Sequence, residues 1–97
     1  MRRTKFDIIA EILNFAREAT LKTPILFNIN LSHNQLSEYS CVLLENNLLT
    51  IYERNEQKFY KTTPRGLKFL EEYRELRKLF CVNESEQVQN QYLIALS

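Results

Sequence analysis

The chain has 97 residues, which is enough for one hydrophobic core and too few for two. Thirteen Lys and Arg side chains stand against twelve Asp and Glu, so the net charge of +1 gives no argument by itself for a polyanionic partner. The sequence holds one histidine and one glycine, with no Gly-rich phosphate loop and no Ser-His-Asp arrangement. This composition argues against an enzyme.

The two cysteines, Cys41 and Cys81, form no C-x-x-C pair and have no histidine cluster near them, which argues against a zinc site. Two cysteines do not make a disulfide scaffold. No apolar run approaches the roughly 18 residues of a membrane span, and no signal-peptide core follows the first residues. We therefore expect a cytoplasmic protein without cofactor, metal ion or evident small-molecule substrate.

A first helix is predicted from Thr4, with Asp7 placed to complete a capping box. Helical spacing predicts a buried stripe, which Phe6 and Ile8 would widen. The stripe consists of Ile9, Ile12, Leu13 and Ala16. Ahead of this helix, Arg2 and Arg3 belong to a small basic arm, which either contacts phosphates or is an ordinary solvated terminus.

A second, short helix is predicted to start at Thr23-Pro24, since Thr caps helices well and Pro suits the first helical position. The turn that follows contains Asn30, the residue best able to adopt an unusual backbone angle there. Two helices joined by three or four residues form a helix-turn-helix element.

The third helix, residues 32–46, has clear start and end signals. Ser32 and Gln35 can form a reciprocal capping box, and Asn46-Asn47 can end the helix. The predicted buried face is Leu36, Ser40 and Leu43, and the predicted outward face is Asn34, Ser37, Glu38, Cys41 and Glu45. Short hydrogen-bonding side chains near the helix start suit close approach to another surface, for which a DNA major groove is a candidate.

Two β-prone runs, residues 48–53 and 58–62, follow directly. Four polar residues, 54–57, are expected to join them into a hairpin. A hairpin placed after a helix-turn-helix corresponds to a wing, a name we use for residues 54–58. The predicted fold class is therefore mainly α with a small β-hairpin, a winged helix-turn-helix with a long C-terminal dimerisation helix.

Thr63-Pro64 is predicted to begin that last long helix, with Leu67 and Leu70 packing on the domain. Beyond them lies a heptad seam, which predicts pairing with another copy of the helix or, alternatively, packing on the chain's own first helix. The seam consists of Phe69, Tyr73, Leu76 and Phe80. A further short helix is expected after Asn83. We accordingly divide the chain into a winged domain, 1–66, and a helical dimerisation segment, 67–97.

Three segments together resemble a known family. They are Asn30-Leu31-Ser32 with Gln35-Leu36, Leu43-Leu44-Glu45, and Tyr60-Lys61-Thr62-Thr63 with Gly66 and Phe69-Leu70. With the basic start, they resemble archaeal winged-helix proteins, which include small dimeric DNA-binding proteins of crenarchaea and predicted transcriptional regulators. The resemblance covers roughly residues 2–80. It implies DNA binding, and dimerisation through an antiparallel coiled coil of the last helix.

Three positions depart from that family's usual pattern. Ser40 stands where Leu is usual, and its hydroxyl could bond the carbonyl four residues back. Asn47 stands where Gly is usual and tolerates the same backbone angle. Cys41 should be at least partly accessible, which is uncommon for cysteine.

The leading hypothesis is a dimer that binds double-stranded DNA as a transcriptional regulator or an architectural chromatin protein. Asn34 or Gln35 could pair with adenine, and Glu38 could accept from cytosine. The candidate DNA-binding residues are Arg2, Arg3, Lys22, Ser32, His33, Asn34, Gln35, Ser37, Glu38, Arg54, Lys58 and Lys61. The alternative is a winged helix that contacts proteins without binding DNA, and a redox switch at Cys41 is a minor further possibility.

Overall fold

A computed structural model describes residues 3–80, which form four helices and one antiparallel hairpin. In chain order the elements are α1 (Lys5–Phe15), α2 (Lys22–Ile29), α3 (His33–Glu45), β1 (Leu49–Arg54), β2 (Gln57–Thr62) and α4 (Pro64–Phe80). The predicted fold class, mainly α with a small hairpin and a long last helix, is confirmed. Arg2 and the helix expected after Asn83 lie outside the described residues.

The first helix begins as the sequence predicted. Thr4 Oγ1 accepts a hydrogen bond from Asp7 N at 3.0 Å, and Asp7 Oδ2 accepts one from Thr4 N at 2.9 Å. The predicted stripe is buried and forms the centre of the core. The expectation for Phe6 is wrong, because 62% of this residue is exposed. Side chains of a first helical turn tilt toward the N-terminus, which here carries the ring beyond the edge of the core.

The second helix starts at Lys22, one residue before Thr23, and its N-cap, Leu21, makes no side-chain hydrogen bond. The prediction that Thr23 caps this helix is therefore wrong. Pro24 is accommodated inside the first turn, where backbone N–H groups have no intrahelical acceptor. The turn is as expected, since Asn30 has a left-handed backbone with φ of 59° and ends the helix.

The third helix confirms both of its predicted ends. Ser32 and Gln35 form the reciprocal capping box, and the chain leaves the helix through Asn46 and a left-handed Asn47, φ 58°. Leu36, Ser40 and Leu43 are buried, also as predicted. The expected hydrogen bond of the Ser40 hydroxyl is absent, because its Oγ has no partner among the described residues.

The hairpin has a tighter turn than the sequence indicated. Arg54 pairs with Gln57, so the loop contains only Asn55 and Glu56 rather than four residues. Both have positive φ, 51° and 64°, as a type I′ turn requires. This turn is favoured in hairpins because its twist matches that of the strands, and here it is formed without glycine.

Hydrogen bonds join the hairpin to the end of α1 and to the segment between α1 and α2. Thr20 forms a bridge with Tyr60, with N···O distances of 3.0 and 2.7 Å, a short third strand position that the sequence analysis missed. Thr62 donates from its N to Ala16 O at 2.9 Å and from its hydroxyl to the buried Leu13 O at 2.6 Å. These hydrogen bonds fix the strands that lead to the wing against the domain.

The last helix begins at the predicted cap. Thr63 Oγ1 accepts from Gly66 N at 3.0 Å and donates to Asn47 O at 2.7 Å. Gly66 lies against the segment between α3 and β1, where a Cβ atom would stand 2.3 Å from Leu48 O. Leu70 is buried one turn later, as predicted, but Leu67 is 44% exposed and that expectation is wrong. The face of α4 that contains Gly66 packs on the domain, and Leu67 lies about 100° around from it.

Candidate nucleic-acid interface

The outward face of α3 carries a continuous stripe of exposed side chains, Asn34, Ser37, Glu38 and Cys41. Spacings of three and four residues place them on one side of the helix, opposite the buried Leu36 face. None of these four side chains makes a hydrogen bond or an ion pair within the described chain. Their polar groups are therefore available to an external partner.

Two other candidate residues, at the start of α3, are exposed but already hydrogen-bonded to each other. Ser32 N donates to Gln35 Oε1 at 2.9 Å, and Gln35 N donates to Ser32 Oγ at 3.1 Å. An amide that pairs with adenine must use its carbonyl oxygen and its NH₂ group together. Because the capping box occupies the Gln35 oxygen, the geometry favours Asn34 over Gln35 for such a pairing.

The candidate basic side chains near α3 differ in whether they already make contacts within the chain. Lys22, at the start of α2, is exposed, as is His33 at the first position of α3. Arg3 instead donates from Nη1 to Glu11 Oε1 at 2.5 Å and to Ile29 O, the last residue of α2, at 3.0 Å. Arg3 therefore connects α1 to the helix-turn-helix, and a phosphate contact would have to compete with these bonds.

The wing carries a balanced charge. Arg54 and Lys58 are exposed on either side of the turn, but Glu53 pairs across from Lys58 and Glu56 occupies the turn itself. Lys61, farther from the tip, donates to Arg17 O at 3.0 Å near the end of α1. Any phosphate contact by the wing therefore depends on the positions of Arg54 and Lys58 and not on a general positive potential.

An aromatic pair that the sequence analysis did not single out stiffens the hairpin. Tyr52 and Phe59 are cross-strand neighbours whose ring centroids lie 5.7 Å apart at an interplanar angle of 22°. Cross-strand aromatic pairs stabilise two-stranded ribbons. The sequence contained a signal for this pair, because successive side chains of a strand point to opposite faces. Both rings therefore lie on the face opposite to Ile51 and Tyr60.

The heptad seam of α4 is divided between two environments. Phe69 and Tyr73 are half-buried against the domain's own core, and the Tyr73 hydroxyl donates to Asp7 on α1. Farther along, Leu76 is 52% exposed and Phe80 is 70% exposed, with the exposed Leu79 beside them. The seam thus packs on the chain itself at its start and presents apolar side chains toward its end.

None of the helices within residues 3–80 is long and apolar enough to cross a membrane. In the same range, no three His, Cys, Asp or Glu side chains are grouped so that they could hold a metal ion.

A winged helix-turn-helix family profile matches residues 2–80, and the chain belongs to that family. The winged-helix family that the sequence resembled is confirmed by this match. Comparison with curated protein sequences gives no match.

Solved structures share this fold. Sso10a-2, a DNA-binding protein from Sulfolobus solfataricus, is similar with a TM-score of 0.67 and 23% identity over 93% of this chain and 100% of that one. A transcriptional regulator from Clostridium thermocellum is similar with a TM-score of 0.73 and 20% identity over 84% of this chain and 90% of that one. MepR from S. aureus, solved as a mutant bound to an oligodeoxyribonucleotide, is similar with a TM-score of 0.66 and 12% identity over 95% of this chain and 69% of that one. At these identities the similarity is one of fold.

Proposed function

We propose that this chain is a cytoplasmic protein that binds double-stranded DNA, as a dimeric transcriptional regulator or an architectural chromatin protein. The observation that carries the proposal is the exposed stripe of α3, whose short polar side chains have no partner within the described chain. Family membership supports it, as do the descriptions of the similar structures as a DNA-binding protein, a transcriptional regulator and an oligodeoxyribonucleotide complex. The proposal assigns the chain no enzymatic step.

In this proposal α3 enters the major groove. A helix with its side chains is about 10–12 Å wide and the major groove is about 12 Å wide, so the groove admits α3, and the outward side chains then need groups that hydrogen-bond base edges. Asn34, Ser37 and Glu38 meet that requirement in the first half of α3.

Phosphate contacts would fix the position of the helix. Arg54 and Lys58 on the wing and Lys22 at the start of α2 are exposed, and within the described chain none of them makes an ion pair or a side-chain hydrogen bond. Lys61 and Arg3 already bond to backbone carbonyls. We therefore propose that the first three provide most of the electrostatic attraction.

The dimer is proposed to form through the segment that begins at residue 67, and mainly through its distal part. Leu76, Leu79 and Phe80 are exposed apolar side chains on a helix that projects beyond the domain. Pairing with a second copy would remove this surface from water, at roughly 25 cal/mol for each Å² buried. Two α3 helices in such a dimer would contact successive major grooves about 34 Å apart.

The phosphate contacts can be tested with charge-matched variants. Lys58→Ala removes a proposed contact, and Lys68→Ala removes an equivalent charge from α4, where Lys68 pairs with Glu72 at 3.3 Å. Fluorescence anisotropy with a labelled duplex should show weaker binding for Lys58→Ala and a slope of log K against log salt that is less steep by about 0.9 for each lost contact. Equal behaviour of the two variants would contradict the wing assignment.

The dimer can be tested by light scattering on the purified full chain. Wild type should have the mass of two chains at micromolar concentration, and Leu76→Asp should shift it toward one chain. Leu67→Asp makes the same change on the same helix, but close to the domain and on the face opposite to Leu76, away from the proposed distal contact. A monomeric wild type, or equal dissociation of both variants, would contradict this interface.

A further inference from the structure

Glu38 is an unusual residue for a DNA-facing stripe. It lies one helical turn after Asn34, in the middle of the exposed face, and it is exposed. No cation pairs with it within the described chain. A carboxylate in this position repels the phosphates on both sides of a groove, so it opposes DNA binding unless it meets a hydrogen-bond donor there.

The major groove offers few such donors. Guanine presents the acceptors O6 and N7, and thymine presents the acceptor O4 and a methyl group, so both repel or fail to bond a carboxylate. Only the amino groups of cytosine and adenine donate. The amino group of adenine lies beside the acceptor N7, which would repel the second carboxylate oxygen, whereas the cytosine edge adds no acceptor.

The amide on the same stripe has the complementary preference. Asn34 can accept from adenine N6 and donate to N7 at the same time. Gln35, which could make the same pairing, uses its side-chain oxygen in the helix cap. Four residues of α-helix advance about 6 Å, close to two base-pair steps of 3.4 Å, for a helix lying along the groove.

We propose that Glu38 makes this protein select cytosine at one position of its DNA site, and that Asn34 selects adenine about two base-pair steps away. The inference rests on the proposed DNA binding and adds a specificity to it. Replacement of that cytosine should weaken binding by about 5- to 150-fold, the range for one well-made base contact. A base-reading role also accounts for the acidic side chain, whose repulsion is offset only on the correct sequence.

The test uses a randomised duplex library and the full chain. Wild type is used to select sequences, and the affinity for the selected duplex is then compared with that for duplexes in which the cytosine is replaced. The two variants are Glu38→Gln and Glu45→Gln, which remove the same charge from the same exposed side of α3, the second at its last residue.

The expected result is a selected site with cytosine and adenine at that spacing. Glu38→Gln should lose most of the cytosine preference at that position, since its amide NH₂ can also donate to the acceptors of the other bases, and it should bind unrelated duplexes more tightly, since the repulsive charge is gone. Glu45→Gln should keep the wild-type preference. Asn34→Ala should lose the adenine preference and retain that for cytosine.

Two other outcomes separate the inference from the function on which it depends. If wild type and Glu38→Gln select the same bases, or if both Gln variants raise affinity equally on every sequence, Glu38 reads no base and the inference is wrong while DNA binding stands. If none of the proteins shifts any duplex at low salt, the proposed function fails, and a protein partner for the stripe becomes the better explanation.

Discussion

The hydroxyl of Tyr73 on α4 donates a hydrogen bond to Oδ1 of Asp7 in the first turn of α1. The other oxygen of the same carboxylate accepts from Thr4 N and caps α1. Just before this cap, Arg3 bonds to Ile29 O at the end of α2. One short N-terminal segment thus connects the proposed dimerisation helix to the helix-turn-helix, so the orientation of α4 is set by hydrogen bonds as well as by packing.

Removal of this hydroxyl should lower stability. We expect Tyr73→Phe to reduce the free energy of unfolding by about 1 kcal/mol, the usual net contribution of a hydrogen bond, because the carboxylate loses a donor in a partly buried position. Urea denaturation measures the change. Tyr52→Phe is the control, since the Tyr52 hydroxyl makes no hydrogen bond within the described chain. Equal stability of the two variants would show that the Tyr73 contact contributes nothing.

Gly66 provides a test in which two effects have opposite signs. Ala is favoured over Gly in a helix by about 1 kcal/mol, so a position with open space would gain stability from Gly66→Ala. Here the new Cβ would meet Leu48 O at 2.3 Å, a backbone atom that cannot rotate away. We therefore expect a loss of about 2 kcal/mol or more, measured by thermal or urea unfolding. A stabilised Gly66→Ala protein would refute the close approach of α4 to the segment between α3 and β1.

Removal of the Ser40 hydroxyl should stabilise the folded protein. Its Oγ is buried with no partner among the described residues, and a buried unpaired hydroxyl costs about 1–3 kcal/mol. Ser37→Ala, on the exposed side of the same helix, is the matched control because it reports only the higher helix propensity of Ala. Ser40→Ala should therefore unfold at higher urea concentration than Ser37→Ala. No difference between them would mean that the Ser40 hydroxyl is satisfied in solution.

Stability should fall at high pH through Tyr60. Burial raises the pKa of this phenol above its ordinary value of about 10. As the pH rises past that value, the unfolded chain loses the proton before the folded one, which favours unfolding. The stability lost between about pH 8 and about pH 11 should be smaller in Tyr60→Phe than in wild type. An identical pH profile for both proteins would contradict burial of the Tyr60 hydroxyl.

The sequence predicted best those features whose partners are close along the chain. The Thr4 and Ser32 caps need a residue only three positions away, and the left-handed Asn30 and Asn47 follow from backbone preference. For the same reason the outward face of α3 could be predicted from periodicity alone.

Features set by distant contacts were missed or misplaced. Thr20 pairs with Tyr60 forty positions later, and the exposure of Leu67 is set by how α4 meets the core. The sequence indicates a four-residue hairpin loop instead of the observed two-residue turn, because Glu56, without glycine beside it, gives no signal for a positive φ. In the candidate site, the bond from Lys61 to Arg17 O likewise depends on tertiary structure.

DNA binding is tested most directly by the salt dependence of the affinity of the full chain for a duplex, measured between about 50 and 200 mM salt. Lys22, Arg54 and Lys58 in each chain predict a slope of log K against log salt of about −3 for one chain and about −5 for a dimer, at about −0.9 for each phosphate contact. A slope near zero, or no binding by micromolar protein at the lowest salt, would contradict the proposal that this winged helix acts on DNA.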